Sequence, residues 1–237
     1  MAEEKFLIQP DGDEITVRHG DATRIFTYKG FHRDLDTVQS LIDLIKVRGS
    51  SESSVILWND TQIKVVLDDS VQDREQDTAT YRFKASDQYQ EWNDILGDQM
   101  SQKELVQFLK HRPDSELSPD YRDLLLGAAQ SLKFVTETVG EFEYKDDNNI
   151  GVMFKTKDGE GQTYIPNLFE IEIPIFKEGR TFDVEIELEL KKPTTDNPRL
   201  YFVLTCPNLK RYNTDAVDDE VRRMKAALAD YIVLAGS

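Results

Sequence analysis

From Phe182 to Leu190 apolar and acidic side chains alternate without exception. Phe182, Val184, Ile186, Leu188 and Leu190 fall on one side, and Asp183, Glu185, Glu187 and Glu189 on the other. A strand sends successive side chains to opposite faces, so this stretch predicts an antiparallel strand with one oily face and one wet, anionic face. Such a strand has to be packed on its oily side. The surrounding sequence is therefore read for what packs there.

More strand-like runs flank it, at about 133–145, 150–157, 162–176 and 199–206. They are separated by turn sequences at Asp146–Asn149, Asp158–Gly161, Glu178-Gly179 and Pro193–Pro198. Three helices are predicted ahead of this sheet. Asp87 is positioned to cap one carrying Tyr89, Trp92 and Ile95. Ser101-Gln-Lys-Glu104 has the spacing of a capping box before Leu105, Phe108 and Leu109. Ser118-Pro119 places a cap and a first-turn proline ahead of Tyr121, Leu124, Leu125 and Ala128. After the sheet, Thr214 or Asp215 is expected to cap a last helix with Val217, Val221, Met224 and Leu228 inward, and Tyr231–Leu234 to close as a short strand.

The first part of the chain reads differently. Three short runs at 5–9, 14–18 and 24–28 are separated by Asp11-Gly12 and His19-Gly20-Asp21, which are hairpin signals. Leu35, Val38, Leu41, Ile42 and Ile45 predict a helix over 35–48, capped by Asp34 or Asp36 and closed by Gly49. Residues 54–58 and 62–67 flank Asn59-Asp60-Thr61 as a second hairpin, and 68–78 is read as an exposed, mobile acidic loop. The fold class expected is α+β: an antiparallel sheet covered on one face by helices (80–237), with a smaller N-terminal α/β unit (1–79) beside it.

Charge limits the function. The formal net charge is −16, which argues against a broad basic face for nucleic acid or anionic membrane. Between 134 and 190 fourteen acids face five bases, so over half of the excess lies in the sheet. No apolar run is long enough to span a membrane, and the N-terminus lacks the pattern of a secretion signal; the cytoplasm is the expected compartment. The single cysteine, Cys206, permits neither an intrachain disulfide nor a thiolate zinc site. Beside Pro207 at the end of an apolar run, it reads as a buried core thiol. His19, His32 and His111 sit apart and read as surface residues. No nucleophile elbow, phosphate loop, dinucleotide fingerprint, zinc-protease motif or calcium loop occurs, and no cofactor is expected.

Two features can carry function. Glu189-Leu190-Lys191, with Asp183 upstream, resembles the carboxylate-x-lysine strand end of many metal-dependent nucleases, where carboxylates hold Mg²⁺ and a lysine steadies the attacking water. The acids also alternate, however, and so are expected to face solvent rather than a shared pocket. The acidic face, Glu170, Glu172, Asp183, Glu185, Glu187 and Glu189, reads either as a solvated surface that discourages edge-to-edge aggregation or as an anionic ladder that fits the basic groove of a DNA-binding protein.

The order of features resembles one family. The segments Phe31–Val38, Ser54–Trp58 and Val65–Asp68, then Tyr89–Trp92 and Met100–Leu109, are similar to the front half of the YfdQ-like proteins. Ile165–Gly179, Leu200–Leu204 and the closing Tyr231–Gly236 are similar to the back half. After Val65 the family carries a Trp-Gly-Asp-His-like stretch, and Asp68–Thr78 departs from it. The resemblance, over about 31–236, implies a bacteriophage or prophage protein of the bacterial cytoplasm and neither a reaction nor a ligand. By analogy such proteins serve replication, recombination or evasion of host defence. The expected function is a non-enzymatic accessory protein that binds a host or phage protein, with a metal-dependent nuclease or a self-assembling DNA-metabolism accessory protein as alternatives.

Overall fold

The computed structural model describes residues 6–11, 14–19, 29–70, 75–131, 139–145, 149–156, 159–191 and 200–236. The expected run at 24–28, the turns at 146–148, 157–158 and 193–198, and the start of the strand expected from 133 lie outside them. In chain order the elements are β1 (Phe6–Asp11), β2 (Glu14–His19), β3 (His32–Leu35), α1 (Val38–Arg48), β4 (Val55–Trp58), β5 (Gln62–Val66) and β6 (Thr78–Arg82). Then come α2 (Asp87–Asn93), β7 (Gln99–Met100), α3 (Gln102–Lys110), α4 (Pro119–Ser131), β8 (Val139–Lys145), β9 (Asn149–Thr156) and β10 (Gly159–Pro166). The chain closes with β11 (Leu168–Pro174), β12 (Thr181–Lys191), β13 (Tyr201–Thr205), α5 (Leu209–Ala227) and β14 (Ile232–Ala235). The α+β class is the one expected.

β1 and β2 pair antiparallel with Asp11 opposite Glu14. β4 and β5 pair around Asn59, whose Oδ1 accepts from the amides of Thr61 and Gln62 and from Thr61 Oγ1. One short side chain thus holds the turn. The helix expected from 35 starts at Val38. Thr37 is extended and its Oγ1 accepts from Ser40 N, while Leu35 belongs to β3. Asp34 and Asp36, free of capping, pair instead with Arg82 and Lys84. Gly49 closes the helix as expected.

β3, β4, β5, β6 and β14 form one mixed sheet in the order β14-β4-β5-β6-β3. The outer pairs, β14 with β4 and β3 with β6, are parallel and the inner ones antiparallel. Ile56, Ile63, Val65, Ala79 and Tyr81 are buried on it, and α1 packs on β6 and β3 and against α5. The sheet draws strands from both sides of position 80: β6 spans that position and β14 arrives from the far end of the chain.

The large sheet expected between 133 and 206 is two sheets. β10-β9-β8 is one and β11-β12-β13-β7 the other, each antiparallel throughout. The run read as 162–176 breaks at Asn167, after Pro166. A proline cannot donate to a ladder, and strands tend to end at one. Here the Asn167 carbonyl turns to accept from Leu188 N of β12, so the chain leaves one sheet and enters the next within a residue.

α2 packs on β11, α3 on β13 and β7, and α4 on α3 and β10. Trp92 meets Phe108 edge to face at 4.8 Å and lies beside Phe169. Ser86, not Asp87, caps α2, its Oγ accepting from Tyr89 N, and the Ser86 N–H donates in turn to the Ile175 carbonyl. The capping box of α3 and the Ser118 bond to Tyr121 N are as predicted. α5 begins at Leu209, five residues before the expected caps. Its first turn has no side-chain cap; Asn208 Nδ2 donates to Glu185 Oε2 at 3.5 Å. A single hydrophobic core runs from Val38 through the three larger sheets to Leu228. Among the described residues no helix is long and apolar enough to cross a membrane.

Candidate functional site

β11 and β12 place the six predicted acids on one face. Along β12 the buried residues are Phe182, Val184, Ile186, Leu188 and Leu190, and along β11 they are Phe169, Ile171 and Ile173. Glu170, Glu172, Asp183 and Glu187 are exposed, and Glu185 and Glu189 partly so. The alternation read from the sequence is thus the alternation of the structure.

The register adds what the sequence did not contain. Glu170 lies directly opposite Glu185, and Glu172 directly opposite Asp183. The amide of Glu185 donates away from β11, to Tyr212 Oη at 3.2 Å, and the amide of Glu172 donates away from β12, to Glu116 O. Both couples are therefore non-hydrogen-bonded pairs, the kind that brings opposed side chains closest, with Cα atoms about 4.5 Å apart. Like charges placed so are destabilising. Among the described residues only Glu189 of the six has an ion-pair partner, Lys191 at 2.6 Å; Glu185 receives a long contact of 3.5 Å from Asn208 Nδ2. The Tyr212 hydroxyl also covers part of the β12 edge where β13 has not yet begun to pair.

Cys206 stands beside this face, half-buried after β13. Burial pushes its thiol up to about 11, aided by the carboxylates of Glu185 and Glu187 and opposed by a hydrogen bond from the Asn208 backbone. It is a protonated thiol at neutral pH and a poor nucleophile. The nuclease-like strand end is an exposed local pair, Glu189 with Lys191. Among the described residues no three His, Cys, Asp or Glu side chains gather to hold a metal. His32 is exposed on β3, between Thr78 Oγ1 and Glu75 Oε1 at 2.8 Å each, and His111 ends α3 with Nδ1 2.7 Å from Gln107 O. These two histidines serve separate local contacts; the His19 side chain lies outside the described residues.

A second feature was missed by sequence reasoning. A cleft of about 340 Å³ lies between the β4–β5 turn and α5, lined by Asp60, Thr61, Phe83, Phe176, Lys210, Asn213, Thr214 and Val217. Its aromatic pair, Phe83 and Phe176, is stacked at 4.8 Å. The lining comes from four separated segments, so no local pattern announces it. The one signal was Lys210, a base in the first turn of a helix that has no acid there, against the usual preference of the helix dipole.

Comparison with curated proteins and with solved structures finds no significant match in either. The match that exists is to a family and covers residues 33–227, from β3 to the end of α5. The chain belongs to the family described as "Uncharacterized conserved protein (DUF2303)".

Proposed function

We propose that this chain is a phage-encoded, non-enzymatic accessory protein of the bacterial cytoplasm that binds a host or phage protein through the acidic face of β11 and β12. The partner presents a basic groove of the kind that otherwise holds DNA, and its occupation blocks a defence or DNA-processing system. The observation that carries this reading is the opposed pairing of Glu170 with Glu185 and Glu172 with Asp183, with no cation set against them among the described residues. Successive levels of the ladder are about 6.8 Å apart. At the two opposed levels, two charges per level give about one per 3.4 Å, the linear density of a single DNA strand. A solvated face needs charge but does not need it opposed at the closest cross-strand spacing. The phage setting rests on the resemblance to the YfdQ-like proteins, and the cytoplasm on the same resemblance.

The test is capture by the tagged full chain from infected cells, beside the Glu185→Gln, Glu187→Gln, Glu189→Gln triple variant. A partner retained by the first, released by rising salt and lost from the second is the expected result. Equal capture by both chains removes the acidic face from the function. Mg²⁺-dependent cleavage of DNA by the purified chain, lost in the same variant, replaces binding with hydrolysis.

A further inference from the structure

The cleft beside α5 has a chemistry unlike the acidic face. Its wall from the β4–β5 turn carries Asp60 and Thr61, and its wall from α5 carries Lys210, Asn213 and Thr214, with Phe83 and Phe176 between. The donors are largely committed. Asn213 Nδ2 donates to Tyr89 Oη and to Leu209 O, both at 2.9 Å, so its carboxamide offers the oxygen. Thr214 Oγ1 donates to Lys210 O, and Thr61 Oγ1 to Asn59 Oδ1, leaving each hydroxyl as an acceptor. Arg211 and Arg180 are paired with Asp215 and Asp219, whereas Lys210 has no ion-pair partner among the described residues. What remains is one ammonium group, several acceptors and a stacked aromatic pair. Lys210 also lies in the first turn of a 19-residue helix with no acid there and no side-chain cap, so the positive end of its dipole adds to the ammonium.

We propose that this cleft binds a small anion with a flat, amine-bearing ring, of the size and class of a nucleoside monophosphate. Lys210 takes the anionic group, the Phe83–Phe176 pair meets the ring, and Asp60 with Asn213 Oδ1 accepts from the ring amine. The volume is at the small end of ligand pockets and suits one nucleotide rather than a chain of them. A phosphate alone would leave the aromatic floor unused, and a neutral nucleoside would leave Lys210 unused.

The test is calorimetric titration of the full chain with AMP, CMP, UMP, adenosine and inorganic phosphate, repeated on Lys210→Gln and Phe83→Leu. Lys210 is exposed, so its variant folds, and circular dichroism checks both. Saturable binding of AMP and CMP is expected, with UMP, adenosine and phosphate each weaker. Lys210→Gln weakens AMP by about tenfold or more, as loss of a charge-assisted bond does, while leaving adenosine unchanged. No saturable binding of AMP or CMP overturns the proposal. So does AMP binding that is unaltered in Lys210→Gln, or UMP bound as tightly as AMP. None of these outcomes bears on the acidic face, which lies outside the cleft lining.

Discussion

Glu220 is the residue whose placement costs this fold most visibly. It is 5 % exposed on α5, and its Oε2 accepts no hydrogen bond among the described residues. Arg223, itself about half exposed, stands 3.7 Å away. Burial holds its carboxyl above the usual range, with Arg223 opposing and Asp219 adding to the effect. The folded state therefore binds this proton more tightly than the unfolded chain does. Its stability contribution is fully present below the ordinary carboxylate pKa and is lost as pH rises through the raised value. Glu220→Gln removes that dependence without changing shape. The variant is expected to match the parent near pH 4 and to exceed it at pH 7 by roughly 1 kcal/mol, the low end of what an unsatisfied buried acceptor costs. Urea titrations at the two pH values check this; a parent more stable than the variant at pH 7 would show that Arg223 fully compensates the charge.

At the scale of elements, the opposed acids set function against stability. Each like-charge pair across β11 and β12 costs about 0.2–1 kcal/mol. Glu170→Gln with Glu172→Gln relieves both pairs. The double variant is expected to melt about 2–4 °C higher at low salt, the shift that roughly 1 kcal/mol produces in a chain of this size. The gain shrinks in 0.5 M salt as screening does the same work (Debye length ~4 Å). Unaltered melting would mean that water already screens the pairs and that their opposition carries no information. The alternation behind these pairs was legible because period two is a local property: Phe182 through Leu190 declare both faces without help from any other segment. So was the Ser101 capping box, which is written in four consecutive residues. The opposition of Glu170 to Glu185 was not, because register depends on where the chain turns, fifteen residues apart in sequence. The break at Asn167 and the early start of α5 were hidden as well. Pro166 ends the first strand locally, but where the next begins depends on the distant Leu188, whose amide the Asn167 carbonyl accepts, and α5 starts early without any local side-chain cap to announce it. The cleft is the extreme case, since Asp60 and Lys210 meet only in the folded chain.

At the scale of the whole molecule, the long-range pairings tie the last strand back to the first third of the sequence. β14 adds to β4 in parallel, with Ile232 opposite Val55 and Ala235 opposite Trp58. α5, which carries the chain back to that edge, bonds to α1 through Arg223 and Gln39, to α2 through Asn213 and Tyr89, and to β12 through Tyr212. A shared core and a shared helix make separate unfolding of the two sheet systems expensive, since either would expose apolar surface of the other. The two tryptophans report on the two systems: Trp58 lies on β4 and Trp92, nearly fully buried, on α2. Trp58→Phe and Trp92→Phe each leave one reporter, and their urea transitions are expected to share one midpoint once the cost of each substitution, larger for the buried Trp92, is matched. Ile63→Ala, placed in the first sheet's core, should then lower stability by about 2–5 kcal/mol and move the Trp92 transition as far as the Trp58 transition. If Ile63→Ala shifts the Trp58 signal alone, α5 and β14 are decorations on two independent units. The cleft between the β4–β5 turn and α5 would then open and close with their relative motion, instead of being held by a shared core.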